Sequence, residues 1–113
     1  MKGPVYTKSF SFALLIVDLF RKLKTDQEYV ISKQLLRSGT SIGANINEAS
    51  AAVSRNDFNY KMSLASKEAR ETKFWLLLLK KSDLTCINVE IELELCEELI
   101  RLLTSIVKST KKP

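Results

Sequence analysis

The chain has 113 residues, enough for one domain with one sizeable core. Eighteen Lys and Arg against 13 Asp and Glu leave it at +5, and it has no histidine; that excludes Ser-His-Asp triads, HExxH zinc sites and the Glu-x-x-His motif of di-metal bundles. Its three glycines and two prolines, the latter at Pro4 and Pro113, suit long helices and exclude a turn-rich sandwich or barrel.

The first periodic segment spans about 8–24, with Thr7 or Ser9 as its expected N-cap. Phe10, Ala13, Leu14, Val17 and Arg21 share one face, and Phe12, Ile16, Leu19 and Leu23 share another. This is more apolar circumference than a lone bundle requires of a surface helix. The apolar run from Phe10 to Phe20 is broken by Asp18 and is too short to span a bilayer. It is followed by no cleavable small-residue site. The expectation is a soluble chain in the cytoplasm, with no membrane partner. Cys86 and Cys96, ten residues apart on different helix faces, read as unbridged thiols of a reducing compartment.

A second helix is expected over about 27–53. Its stripe is Leu35, Ile42, Ile46, Ala49 and Val53, which keeps helical spacing across Gly39 and Gly43. The stretch SGTSIGAN lacks the order of a P-loop and the strand that should precede one. Its two glycines instead read as a close helix crossing.

Ser54 with Asp57 three positions on marks the start of a third helix over 55–81. Its seam is Phe58, Met62, Ala65, Ala69, Thr72, Leu76 and Leu79. FWLLLL, 74–79, then encircles the helix with apolar side chains, a second surplus beyond what one core needs.

The fourth segment, about 85–109, carries two patterns. INVEIELEL over 87–95 alternates as a half-buried strand would, yet Ile91, Leu95, Leu99, Leu102 and Ile106 form a helical stripe, with Cys96, Ile100, Leu103 and Val107 beside it. A lone strand would leave its backbone unpaired, so a helix is expected throughout, with a fraying KSTKKP tail. The fold expected is all-α: an antiparallel up-and-down four-helix bundle. Its core takes in Leu35, Ile42, Ile46, Phe58, Met62, Ala65, Ala69, Leu76, Leu95, Leu99 and Leu102. The two apolar surpluses predict a homo-oligomer.

Two sets of residues are candidates for function. Arg37, Asn45 and Glu48 on the second helix and Glu68 and Glu71 on the third read as a polar network that fixes register or an interface, because carboxylates on an apolar stripe need partners. Lys61, Lys67, Arg70, Lys73 and Lys80 on the third helix are candidate contacts to RNA or DNA phosphates. No catalytic residue, metal ligand or cofactor site is identified, and the chain reads as a non-enzyme.

The motifs QLLR at 34–37, SIGANI at 41–46 with Glu48, Asp57–Phe58, and KEARET at 67–72 leading to Trp75–Leu76 resemble the four-helix bundle family of proteins encoded by intervening sequences of 23S ribosomal RNA genes. That family is similar to the accessory subunit of diversity-generating retroelements. The resemblance covers roughly residues 10–105. It implies an up-and-down bundle that assembles into a ring of five. Because the retroelement subunit works with a reverse transcriptase and nucleic acid, RNA or DNA, or a protein partner, is the corresponding expectation. It implies no established biochemical activity.

Overall fold

The computed structural model describes residues 3–111. It has four helices, α1 (Pro4–Thr25), α2 (Ile31–Ala49), α3 (Arg55–Lys81) and α4 (Glu90–Thr110), and no strand among the described residues. Each helix packs on the next in chain order, and α1 also packs on α4. The result is a four-helix bundle 46 Å long and about 20 Å across.

Helix α1 begins earlier than its polar residues suggest. Pro4 occupies the first turn, where its fixed φ and missing N–H carry no penalty. Ser9 is no cap: it is buried mid-helix and its hydroxyl donates to the Tyr6 carbonyl at 3.1 Å. Of the two apolar faces of α1, the one bearing Phe12, Ile16, Leu19 and Leu23 enters the core.

Helix α2 starts at Ile31 rather than near 27 because Glu28 closes one helix and opens the next. Gln27 takes a left-handed φ of 65°. The Gln27 N–H then donates to Lys24 and the Glu28 N–H to Leu23, at 2.9 and 2.8 Å. This is a Schellman end built without glycine. The Glu28 carboxylate, itself buried, accepts from the N–H groups of Val30, Ile31 and Ser32 at 3.0, 2.9 and 2.7 Å. Three orphan donors of the α2 N-terminus are thereby satisfied.

The helix stops at Ala49, four residues short of the expected end, and Val53 is 92% exposed instead of buried. Ser54 is extended and accepts from the Asp57 N–H at 3.0 Å, while Asp57 reaches back to the Val53 N–H at 3.1 Å. Capping α3 in this way holds 50–54 out of any helix. The α3 seam is buried along its length, with Phe58 half-buried at the end.

The fourth helix begins at Glu90, and 82–89 forms a link with neither helix nor strand. Thr85 donates to Asp26 at 2.6 Å and accepts from the Ile87 N–H, and Asn88 accepts from the Glu90 N–H at 2.8 Å. These side-chain bonds offer the backbone an alternative to a helical turn. The buried stripe of α4 is Leu93, Cys96, Leu99 and Leu103. Ile91 is 64% exposed, and Leu95, Leu102 and Ile106 are only half-buried. The stripe is therefore rotated from the expected one toward α3, against which α4 chiefly packs. Helix continues through Thr110 where fraying was expected; residues 112–113 lie outside the described ones.

At the α1–α2 crossing the glycines differ. A Cβ on Gly39 would meet Ile16 at 2.9 Å, whereas one on Gly43 would lie 3.4 Å from the Ser9 carbonyl oxygen. The close approach is at Gly39, and Gly43 has ordinary room.

Candidate functional site

The seam between α2 and α3 gathers part of the expected polar network. Arg37 bonds Glu68 at 3.2 Å and Glu71 through its second terminal nitrogen. The Trp75 indole N–H donates to the same Glu71 oxygen at 3.0 Å. Glu71 therefore sits below its ordinary carboxylate range, first through the Arg37 bond and then through Trp75. Arg37 is raised, chiefly by its bond to Glu71. Trp75 is the member that reading the sequence missed; its signal is position, one turn beyond Glu71 on α3.

Glu48 and Asn45 lie elsewhere on this seam. Glu48 takes Lys61 at 2.7 Å. The Asn45 amide donates to the Ser41 carbonyl of its own helix at 2.9 Å. Beneath the surface, at the level of Arg37, the Thr72 hydroxyl lies 2.9 Å from Ser38. Polar contacts thus key α2 and α3 together at two heights, this one and that of Glu48 with Lys61.

The candidate phosphate contacts do not form one free basic row. Lys61 pairs with Glu48, Lys73 with Glu97 at 3.2 Å, and Lys80 with Glu90 at 2.8 Å. Arg70 donates to the Thr104 hydroxyl at 3.0 Å. Only Lys67 among the five has neither a carboxylate nor a hydrogen-bond partner among the described residues, and it is exposed on the outer side of α3.

Apolar side chains mark the other exposed faces. Along the α1–α2 groove, Phe10 is 67% exposed and Leu14 is exposed beside it. A lower hollow of about 550 Å³ is lined by Tyr6, Phe10, Ala13, Ala44 and Asn47 among others. An upper hollow of about 630 Å³ is lined by Val17, Phe20 and Leu36 together with Arg21, Lys24 and Thr25. On α3, Tyr60 and Phe74 are 59% and 56% exposed, and Leu78 is exposed as well.

These arrangements suit packing and charge pairing. No group of three or more His, Cys, Asp or Glu that could hold a metal occurs among the described residues. Burial pushes the Cys96 thiol up to about 12, far from a reactive thiolate. Among the described residues, no helix is long and apolar enough to cross a membrane.

The family model described as 23S rRNA-intervening sequence protein matches residues 2–106. A crystal structure of a protein with unknown function from the S23 ribosomal protein family of Bacteroides thetaiotaomicron VPI-5482 is similar, with a TM-score of 0.84 and 49% sequence identity. That match covers 92% of this chain and 98% of the other. No curated protein matches.

Proposed function

The chain belongs to the 23S rRNA-intervening sequence protein family, and from that premise we propose a non-enzymatic assembly protein: an antiparallel up-and-down bundle that forms a homo-oligomeric ring. Antiparallel order is supported by contacts whose numbers run oppositely along neighbouring helices. Gly39 lies against Ile16 and Gly43 against Ser9; Arg37 meets Glu71 and Glu48 meets Lys61. Five subunits is the number that the sequence resemblance implies.

The observation carrying the oligomer is the exposure of Phe10 and Leu14 along α1. Leaving such side chains wet forgoes roughly 1.5–3 kcal/mol each, and a contiguous row of them marks an interaction surface. Light scattering at micromolar concentration tests the reading. A mass several times that of one chain is expected, falling in the Phe10→Ser, Leu14→Ser double variant. A single-chain mass for the unaltered protein overturns it.

Lys67 favours a second reading, in which RNA or DNA is held through phosphates by an outer face of α3 that no neighbouring copy covers. Binding should then be weak, indifferent to base sequence and lost as salt rises. Titration of single-stranded RNA and duplex DNA across a salt series tests it, with Lys67→Ala expected to weaken both. No binding to either leaves a scaffold that recruits a protein partner.

A further inference from the structure

We propose that the copies meet head-to-tail, the α1–α2 groove of one receiving the outer stripe of α3, Tyr60, Phe74 and Leu78, from the next. The inference rests on the homo-oligomer proposed above and names its two mating faces.

A second copy is the occupant because the chain exposes two different apolar faces that none of its described residues covers. A contact related by a two-fold axis joins one patch to itself. Groove against groove would set hollow opposite hollow and leave the α3 stripe wet. A head-to-tail contact covers both faces at once, with projections entering recesses. A side of the bundle 46 Å long and 21 Å wide is also large enough for the roughly 800 Å² per partner of a standard interface.

The two faces also match in height. Rotation about a ring axis parallel to the bundles leaves height unchanged, so each projection must find its recess at its own level. Glu71 and Thr72 bond Arg37 and Ser38; Phe74, just beyond, thus stands level with Leu36 and the upper hollow. Lys61 bonds Glu48, so Tyr60 stands level with Asn47 and Ser50 of the lower hollow. Phe74 and Tyr60 are 14 residues apart, about 21 Å of helix, and Leu36 and Asn47 are 11 apart, about 17 Å. Side-chain reach spans the difference.

The chemistry pairs in the same order. Phe74 meets a recess of Val17, Phe20 and Leu36 that also carries Arg21, Lys24 and Thr25, so the ring gains apolar contact and a cation within reach of its face. A buried Tyr60 hydroxyl requires a hydrogen-bond partner, and at its level the lower hollow supplies Asn47 and Ser50.

Cross-linking tests the arrangement while keeping every projection and recess. In a Cys86→Ser background, Thr40→Cys marks the groove and Lys67→Cys marks the α3 stripe at nearly the same height. The two variants are made separately, co-expressed, and combined in one chain, then treated with a short bismaleimide. Neither variant alone should cross-link. The co-expressed pair should give dimers, and the chain carrying both should give a ladder ending at the ring's full size. Dimers from a single variant, or a ladder stopping at two, would replace head-to-tail with a two-fold contact. An oligomer in light scattering with no cross-link in any sample overturns these faces but spares the oligomer. A single-chain mass overturns the oligomer itself.

Discussion

Gly39 lies so close to Ile16 that a methyl group on it would stand 2.9 Å from both Cγ atoms of that side chain. Ile16 is fully buried and β-branched, with little rotamer freedom to yield. Gly39→Ala should therefore push α1 from α2. Overpacking costs about 1–3 kcal/mol, outweighing a helix-propensity gain of about 1 kcal/mol at most. Gly43→Ala meets only ordinary contact and should keep most of that gain. Urea unfolding of both variants is expected to lower the midpoint for the first and hold or raise it for the second. The reverse order would place the tight crossing elsewhere.

Glu71 gives acid stability a definite sign. Its folded-state pKa lies below the ordinary 4.5 because Arg37 and Trp75 favour the carboxylate, so near pH 4 the unfolded chain binds more protons than the folded one. The stabilisation is complete above about pH 4.5 and fades as pH falls through the lowered value. Because the group is partly exposed, the effect is about 0.2–1 kcal/mol. Glu71→Gln should lower stability at pH 7 by that amount and shrink the difference at pH 3. A loss equal at both pH values would show that the charge does not matter.

Removing the Glu28 carboxylate strands three backbone N–H groups at the start of α2. Loss of an N-cap costs about 0.5–2 kcal/mol, and bonds to charged groups lie at the upper end of hydrogen-bond strength. Glu28→Ala should cost about 2 kcal/mol in urea unfolding, and Glu28→Gln, which keeps one acceptor oxygen, should cost less. An unchanged midpoint for Glu28→Ala would mean that water caps the helix equally well.

The two cysteines should separate by reactivity. Cys86 is exposed on the α3–α4 link, and Cys96 is buried with its sulfur 3.2 Å from the Ala69 carbonyl. Titration with an aromatic disulfide at pH 8 is expected to modify one thiol in the folded chain and two after denaturation. Fast reaction of both while folded would reveal an α4 that opens readily.

How far the sequence could be read followed the range of the interactions involved. The α3 seam and the Ser54–Asp57 start were legible because spacing and capping act within a few residues. The α1–α2 corner was not: a Schellman end without glycine leaves no mark at Gln27, and a glutamate that caps from three positions upstream resembles any surface acid. The rotation of α4 depended on which neighbour it prefers, a fact of packing that its own two apolar stripes leave open. In the candidate site, Arg37 was recognisable as a partner for Glu68 and Glu71. The neutralising of Lys61, Lys73 and Lys80 was not, because their acids lie on neighbouring helices.

The Glu28 corner also bears on the order in which the chain folds. Every bond it makes lies between Leu23 and Ser32, so it closes a short loop with little entropy to lose. The α1–α4 edge, joined by Lys8 and Glu98 at 2.9 Å, unites residues 90 positions apart. Local contacts form before such distant ones repay their loop closure. The α1–α2 hairpin should accordingly be native in the folding transition state while the α1–α4 edge is still open. Glu28→Ala would then slow refolding, and breaking the Lys8 pair would act on unfolding instead. The last edge to close is thus the one at which α4 could leave the bundle first.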